Sequence, residues 1–232
     1  KMKLKPKKNI MKKFNVIILL VNISLGCSQQ DISNKYAETI TQEELKNLLE
    51  IYSSDEFEGR QTGMYGDVLA ANFLRDFYIK NDIQPADNTD NYFQKYQLNL
   101  PGEMYTLNYS FPETLRAYDK YASGENFVDT QNVASVIVGE TYPNSYVIFT
   151  GHLDHVGVDG NEVYNGADDN GSGTVSILEI AQAFQNAIKD GIRPKRSIVF
   201  LHVSGEEEGL LGSEYYVNNS LYPIENTFVN IN

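Results

Sequence analysis

YVIFTGHLDH, residues 146–155, is the stretch on which the reading of this 232-residue chain turns. Its first half is a short apolar run rich in β-branched residues, and its second half is glycine, histidine and aspartate. That is the texture of a strand buried on both faces that ends in a polar cluster. Two further runs look alike, VASVIV at 133–138 and IVFLHV at 198–203. Between the second and third strands, Val175, Leu178, Ala181 and Ile188 recur at helical spacing over 174–189. Strand, strand, helix, strand implies an α/β fold with a mixed, mostly parallel central sheet flanked by helices.

Toward the amino end, Thr41-Gln42-Glu43-Glu44 has capping-box spacing ahead of Leu45, Leu48 and Leu49, which predicts a helix over 42–52. Residues 54–66 place Gly59, Gly63 and Gly66 among charges and read as loop. Residues 67–81 read as a second helix burying Ala70, Phe73, Leu74, Phe77 and Tyr78. From Tyr92 to Val128 the chain reads as extended and turn structure, and the polar residues 31–36 fall in a tether over 27–40. Before it, Met11-Lys12-Lys13, an apolar run over 14–25 and Ser24-Leu25-Gly26-Cys27 form a secretory-signal pattern over 1–26. The run is about half of the ~20 residues a spanning helix needs. The small residue before Cys27 resembles a bacterial lipoprotein signal, so the expected product is an exported envelope lipoprotein with a lipidated Cys27, or a secreted protein.

The chain is 41 % hydrophobic and 22 % charged, a globular profile. Net charge is −12; setting aside the seven lysines before Cys27 leaves 12 basic against 31 acidic residues, or −19. So acidic a body repels phosphate backbones, which argues against nucleic acid as a partner. A single cysteine supports neither an intrachain disulfide nor a Cys-rich zinc site.

Polar residues gather where the strands end. The clusters are Gly151-His152-Leu153-Asp154-His155, Asn165 to Gly173 (NGADDNGSG), Ser204-Gly205-Glu206-Glu207-Glu208-Gly209, and Asn230 to Asn232. In open α/β sheets that carboxyl edge is where ligands bind, and crowded carboxylates there call for cations. There is no HExxH, no GxSxG, and Ser172 stands where a phosphate-binding loop needs Lys. Asp168, Asn170, Ser172, Gly173 and Glu179 have calcium-loop spacing, but no entering helix precedes them. Imidazole with several carboxylates and no thiolate suits zinc or another divalent transition ion. Successive carboxylates at Glu206-Glu207 point different ways, so one can bind an ion while the other stays free as a base.

In this order and at these separations, GHLDH, NGADDNGSGT and SGEEEGLLGS resemble the motifs of metallopeptidase family twenty-eight, the co-catalytic dizinc aminopeptidases. DEFEGRQTG at 55–63 and QNVASVIVG at 131–139 are similar to approach segments of bacterial secreted members, so the resemblance runs over 42–232. It implies a zinc aminopeptidase-like catalytic domain over 41–232, with two Zn2+ and peptide or protein N-termini as substrates. Membrane contact would come only through a lipidated Cys27. By position, His152 would ligate one zinc, Asp168 would bridge both, and Glu207 would ligate the other. Glu206 would be the general base, taking a proton from the bridging water and passing it to the leaving amine. Asp154 would hold the His152 imidazole in its ligating tautomer. The bond from Asp168 to Asp169 would be cis, and His155 and His202 would be structural.

The family supplies a further Asp after the Glu pair and a His from a later loop, whereas this sequence stops at Asn232 within the strand expected over 227–232. The resemblance therefore implies a catalytic domain cut short, inactive by itself, from an active full-length parent. A single-zinc aminoacyl cyclase, a carboxypeptidase relative and a non-enzymatic metal-binding envelope lipoprotein are the alternatives.

Overall fold

The computed structural model describes residues 31–99 and 127–232. The signal pattern, Cys27 and most of the 92–128 stretch's second half lie outside them. The chain divides into two compact units, Lys1–Thr39 and Ile40–Asn232. Of the first, residues 31–37 are helical, where the polar composition suggests a tether. Among the described residues no helix is long and apolar enough to cross a membrane.

The second unit opens with α1, Gln42–Tyr52, at the residues its capping box predicts. The Thr41 hydroxyl oxygen accepts from the Glu44 backbone N–H at 3.1 Å, and the hydroxyl donates to the Glu44 carboxylate at 2.8 Å. The expected loop then contains a short 3-10 turn, Asp55–Arg60, whose last three residues Glu58, Gly59 and Arg60 all have positive φ. Helix α2 spans Tyr65–Lys80 and buries Ala70, Leu74 and Tyr78.

The strands are β1 (Gln84–Pro85), β2 (Phe93–Asn99), β3 (Phe127–Ile137), β4 (Tyr142–His152), β5 (Gly157–Asp159), β6 (Glu162–Tyr164), β7 (Arg196–Val203) and β8 (Thr227–Ile231). Six form the central sheet in the order β1-β3-β7-β4-β8, with β2 also paired to β3. Strand β3 is antiparallel to β1, β2 and β7, while β4 is parallel to β7 and β8. Five of the six strands thus run one way. Strands β5 and β6 form a separate hairpin in the connection after β4.

Alternation along the strands explains why their sequences are continuously apolar. Val133, Ile137, Ile198 and Phe200 pack on one face with Tyr52, Leu74 and Tyr78 and with Val175 and Leu178 of α3 (Ser172–Lys189). Ala134, Val136, Val199 and Leu201 pack on the other with Tyr216 of α4 (Leu211–Asn218) and with Tyr222. The chain leaves β4 toward α3 on one face and leaves β7 toward α4 on the opposite face. Because β4 and β7 are neighbours, these diverging exits open a crevice at their carboxyl ends.

Candidate metal centre

Parallel register sets His152, the last residue of β4, beside Val203, the last of β7. A hydrogen bond from Leu153 N–H to Val203 O at 2.8 Å continues the pairing past the strand ends. The GHLDH segment and the Ser204–Glu207 loop therefore lie side by side. An irregular turn, Ala167–Gly171, brings the third cluster over them before α3 begins.

His152 Nε2 lies 2.9 Å from Asp169 Oδ1 and 3.9 Å from Glu206 Oε2. On the other side of the ring, Nδ1 is 3.1 Å from the Asp154 carbonyl oxygen and 3.6 Å from Asp154 Oδ1. Donation from Nδ1 to Asp154 leaves Nε2 as the nitrogen aimed into the cluster. Burial by itself would lower the His152 pKa, but the hydrogen bond and charge of Asp154, helped by Glu206, outweigh it and raise it to about 9. His155 Nδ1 lies 2.6 Å from Glu207 Oε1. Two sets of donor atoms, one from each of their residues, fall within 4.8 Å of one another: His152, Glu206 and Glu207, and His155, Asp169 and Glu207.

This donor set fits divalent cations. Asp154, Asp169, Glu206 and Glu207 crowd one crevice, and their ion-pair partners among the described residues are histidines. Asp154 is fully buried, its Oδ2 accepting from Thr62 Oγ1 at 2.8 Å and from Glu207 N–H at 3.3 Å, while Oδ1 has no hydrogen-bond partner. Charge of that density inside a protein is costly unless cations share it.

One expected ligand is displaced. Asp168 is exposed and belongs to neither donor set, whereas Asp169, one residue later, meets His152. The reason is local: Asp169 leaves helical torsions (φ −111°, ψ 96°), so its side chain departs from the direction of Asp168's. The cis peptide bond is likewise at Asp169–Asn170 rather than at Asp168–Asp169. The calcium-loop spacing does not survive, because Ser172, Gly173 and Glu179 are already within α3. His202 is buried and kept neutral, its pKa pushed down to about 3 by desolvation, with Nε2 2.7 Å from the Tyr78 hydroxyl. His155, expected to be structural, lies in the cluster itself.

Arg60 was hidden in the sequence as one charge in a glycine-rich loop. It is buried, 1 % exposed, with its guanidinium 4.7 Å from the Tyr52 ring centroid. Its donors reach the carbonyl oxygens of Leu153 (3.0 Å), Tyr52 (3.0 Å), Asn165 (2.7 Å) and Gly166 (2.8 Å). Leu153 lies between His152 and Asp154, and Gly166 precedes the turn that carries Asp169. One side chain thus ties together two ligand-bearing segments, and its positive charge acts on Asp154, Asp169 and Glu207.

A second buried anchor supports the glutamate loop. Asp67 of α2 accepts from Gly63 N–H (3.0 Å), Thr130 Oγ1 (2.8 Å) and Ser204 Oγ (2.9 Å). Desolvation raises its pKa to about 7 against those hydrogen bonds. The folded state therefore holds this proton more tightly than the unfolded chain, whose aspartates titrate near ~4. Its contribution to stability is fully present below pH ~4 and is lost as pH rises through about 7. Asp67→Asn, which keeps an acceptor and a donor in place, should flatten that decline in urea unfolding of metal-free protein at pH 5 and pH 8. An unchanged slope in the variant would contradict a raised Asp67.

Comparison with known proteins joins this geometry to a family. Residues 132–232 match the model of peptidase family M28. By that match, this segment is similar to peptidase family M28. It contains every candidate ligand named above. Among relatives, the aminopeptidase NAALADL1 of Rattus norvegicus is 34 % identical over 107 residues, which are 44 % of this chain and 13 % of that protein. The chain thus spans about an eighth of the length of that relative. Among solved structures, a Zn-dependent exopeptidase from Parabacteroides distasonis superposes with a TM-score of 0.54 at 16 % identity, covering 79 % of this chain and 57 % of that one. The Porphyromonas gingivalis glutaminyl cyclase gives 0.53 at 15 % identity, covering 78 % and 54 %. At such identities the superpositions establish the shared fold, a mixed α/β sheet flanked by helices.

Proposed function

We propose that the protein is a metal-dependent peptidase, and within that class an aminopeptidase that removes N-terminal residues with two zinc ions. The observation that carries this reading is the convergence of His152, Asp169, Glu207 and His155 in one crevice, with Glu206 beside them and 3.9 Å from His152. His152 Nε2 and Glu207 would each hold one ion. Asp169, rather than Asp168, would help hold both ions, since it touches His152 and also falls within the His155–Glu207 set. Bound divalent ions supply Lewis acidity, polarising the peptide carbonyl and making water a better nucleophile near neutral pH.

The chain's own residues do the rest. Glu206 accepts the proton of the attacking water and delivers it to the departing amine. Asp154, held by Thr62, fixes the His152 ring and the Glu207 backbone. A cavity of about 450 Å³ opens beside His152 and Glu206, with Ile148, Leu201, Val203 and Tyr216 in its walls, a concave apolar space suited to a substrate side chain. Export through the signal pattern over 1–26, with lipidation at Cys27, would place this activity at the cell envelope.

The test uses the natural full-length protein, counting zinc per chain and assaying peptides with free and acetylated N-termini. Two zinc ions per chain are expected. Hydrolysis should require the free amine, stop on chelation and return with zinc. Turnover that persists without metal overturns the peptidase reading, and equal use of acetylated peptides overturns the aminopeptidase one. Cyclisation of an N-terminal glutamine with a single zinc would favour the cyclase alternative.

A further inference from the structure

We propose that His155 is a positioning residue for Glu207, donating from Nδ1 to Oε1 so that the carboxylate's second oxygen is presented to a cation. This rests on the metal-dependent reading above. The pair is 2.6 Å apart, with side chains only 15 % and 20 % exposed, slightly shorter than the ~2.7–2.9 Å of a charge-assisted N–H···O hydrogen bond. Zinc–nitrogen and zinc–oxygen bonds are each about 2.0–2.2 Å. At 2.6 Å the two atoms stand at hydrogen-bond separation, closer than two ligands of one such ion stand.

Backbone and ring contacts seat the pair. The His155 backbone N–H donates to Arg60 O at 3.1 Å. Its ring lies against Gly166, where an added Cβ would come within 2.5 Å of His155 Cγ and where φ is +53°, so residue 166 must be glycine for the ring to sit there. The Glu207 backbone N–H meanwhile donates to Asp154 Oδ2 at 3.3 Å. Glu207 is therefore gripped at backbone and side chain by Asp154 and His155, neighbours in one segment. Such outer contacts orient ligating carboxylates and govern how tightly metal is held.

The test measures zinc affinity by chelator competition in the full-length protein, alongside visible spectra of the Co2+ form. His155→Ala should weaken zinc binding about 10- to 100-fold, the range for losing a contact of this kind. His155→Asn places an amide N–H on the same branch of the side chain and should recover most of that loss, with a Co2+ spectrum like that of the parent. Unchanged affinity in the alanine variant overturns the proposal while leaving the peptidase reading intact. So does an asparagine variant that stays weak with an altered Co2+ spectrum, which would make His155 a ligand. Parent protein that binds no zinc overturns both readings. Should the alanine variant fail to fold, the asparagine variant alone decides between donor and ligand.

Discussion

Glu206→Gln should cost about 10²- to 10⁴-fold in turnover, the usual contribution of a positioned proton carrier, while zinc content stays the same. The amide has the size of the carboxylate and cannot accept a proton from water. Glu206 is the carboxylate in the crevice held at arm's length: its approach to His152 is 3.9 Å, beyond hydrogen-bond range, and its side chain is 34 % exposed. Asp169 and Glu207, by contrast, contact imidazoles at 2.9 and 2.6 Å. The carboxylate without a hydrogen-bonded imidazole is the one able to change protonation during a cycle. Metal analysis of the purified variant beside its kcat makes the decision. Loss of one zinc along with activity would make Glu206 a ligand, consistent with its place in one donor set, and would remove it as the base. Turnover within tenfold of the parent would end the proposed mechanism.

The second large effect separates two adjacent aspartates. Asp169→Asn should weaken zinc by more than about a hundredfold, beyond the range for groups that only support a ligand. Asp168→Asn should leave affinity within about threefold, the change expected for an exposed residue outside both donor sets. Both side chains keep their volume, and both sit at the start of the same irregular turn, so general destabilisation affects them alike. What differs is the contact, since Asp169 is 2.9 Å from His152 Nε2 and Asp168, likewise exposed, belongs to neither donor set. Isothermal titration of zinc into the two variants reads the difference directly. Comparable losses in both would mean that the turn is rearranged when metal binds.

These two residues also mark how far the amino-acid sequence could be read. Strands β4 and β7 were legible because burial on both faces demands unbroken apolar runs. Helix α1 was legible because Thr41 and Glu44 satisfy each other locally. The crowding of His152, Asp154 and the Glu206–Glu207 pair followed from their placement after strands at one sheet edge, with the Asp168–Asp169 pair ahead of a helix. The choice between Asp168 and Asp169 was not legible: neighbours in an irregular turn have no periodicity to phase them, and torsions set by the surrounding fold decide which carboxylate meets His152. Arg60 escaped for a related reason. Its burial depends on carbonyl groups from residues 153, 165 and 166, roughly a hundred positions away, and no local pattern announces such partners. The β5–β6 hairpin is three residues to a strand, too short for alternation to show.

Arg60 has one last consequence, for what constitutes the self-sufficient piece of this molecule. The stretch with family likeness starts at residue 132, yet the guanidinium that staples its two halves comes from seventy residues earlier. An excised piece starting at that border would carry all the metal-seeking side chains and none of the cement. Inheritance of the chemistry and autonomy of the architecture have different borders here, and anyone trimming the gene should cut ahead of the first helix.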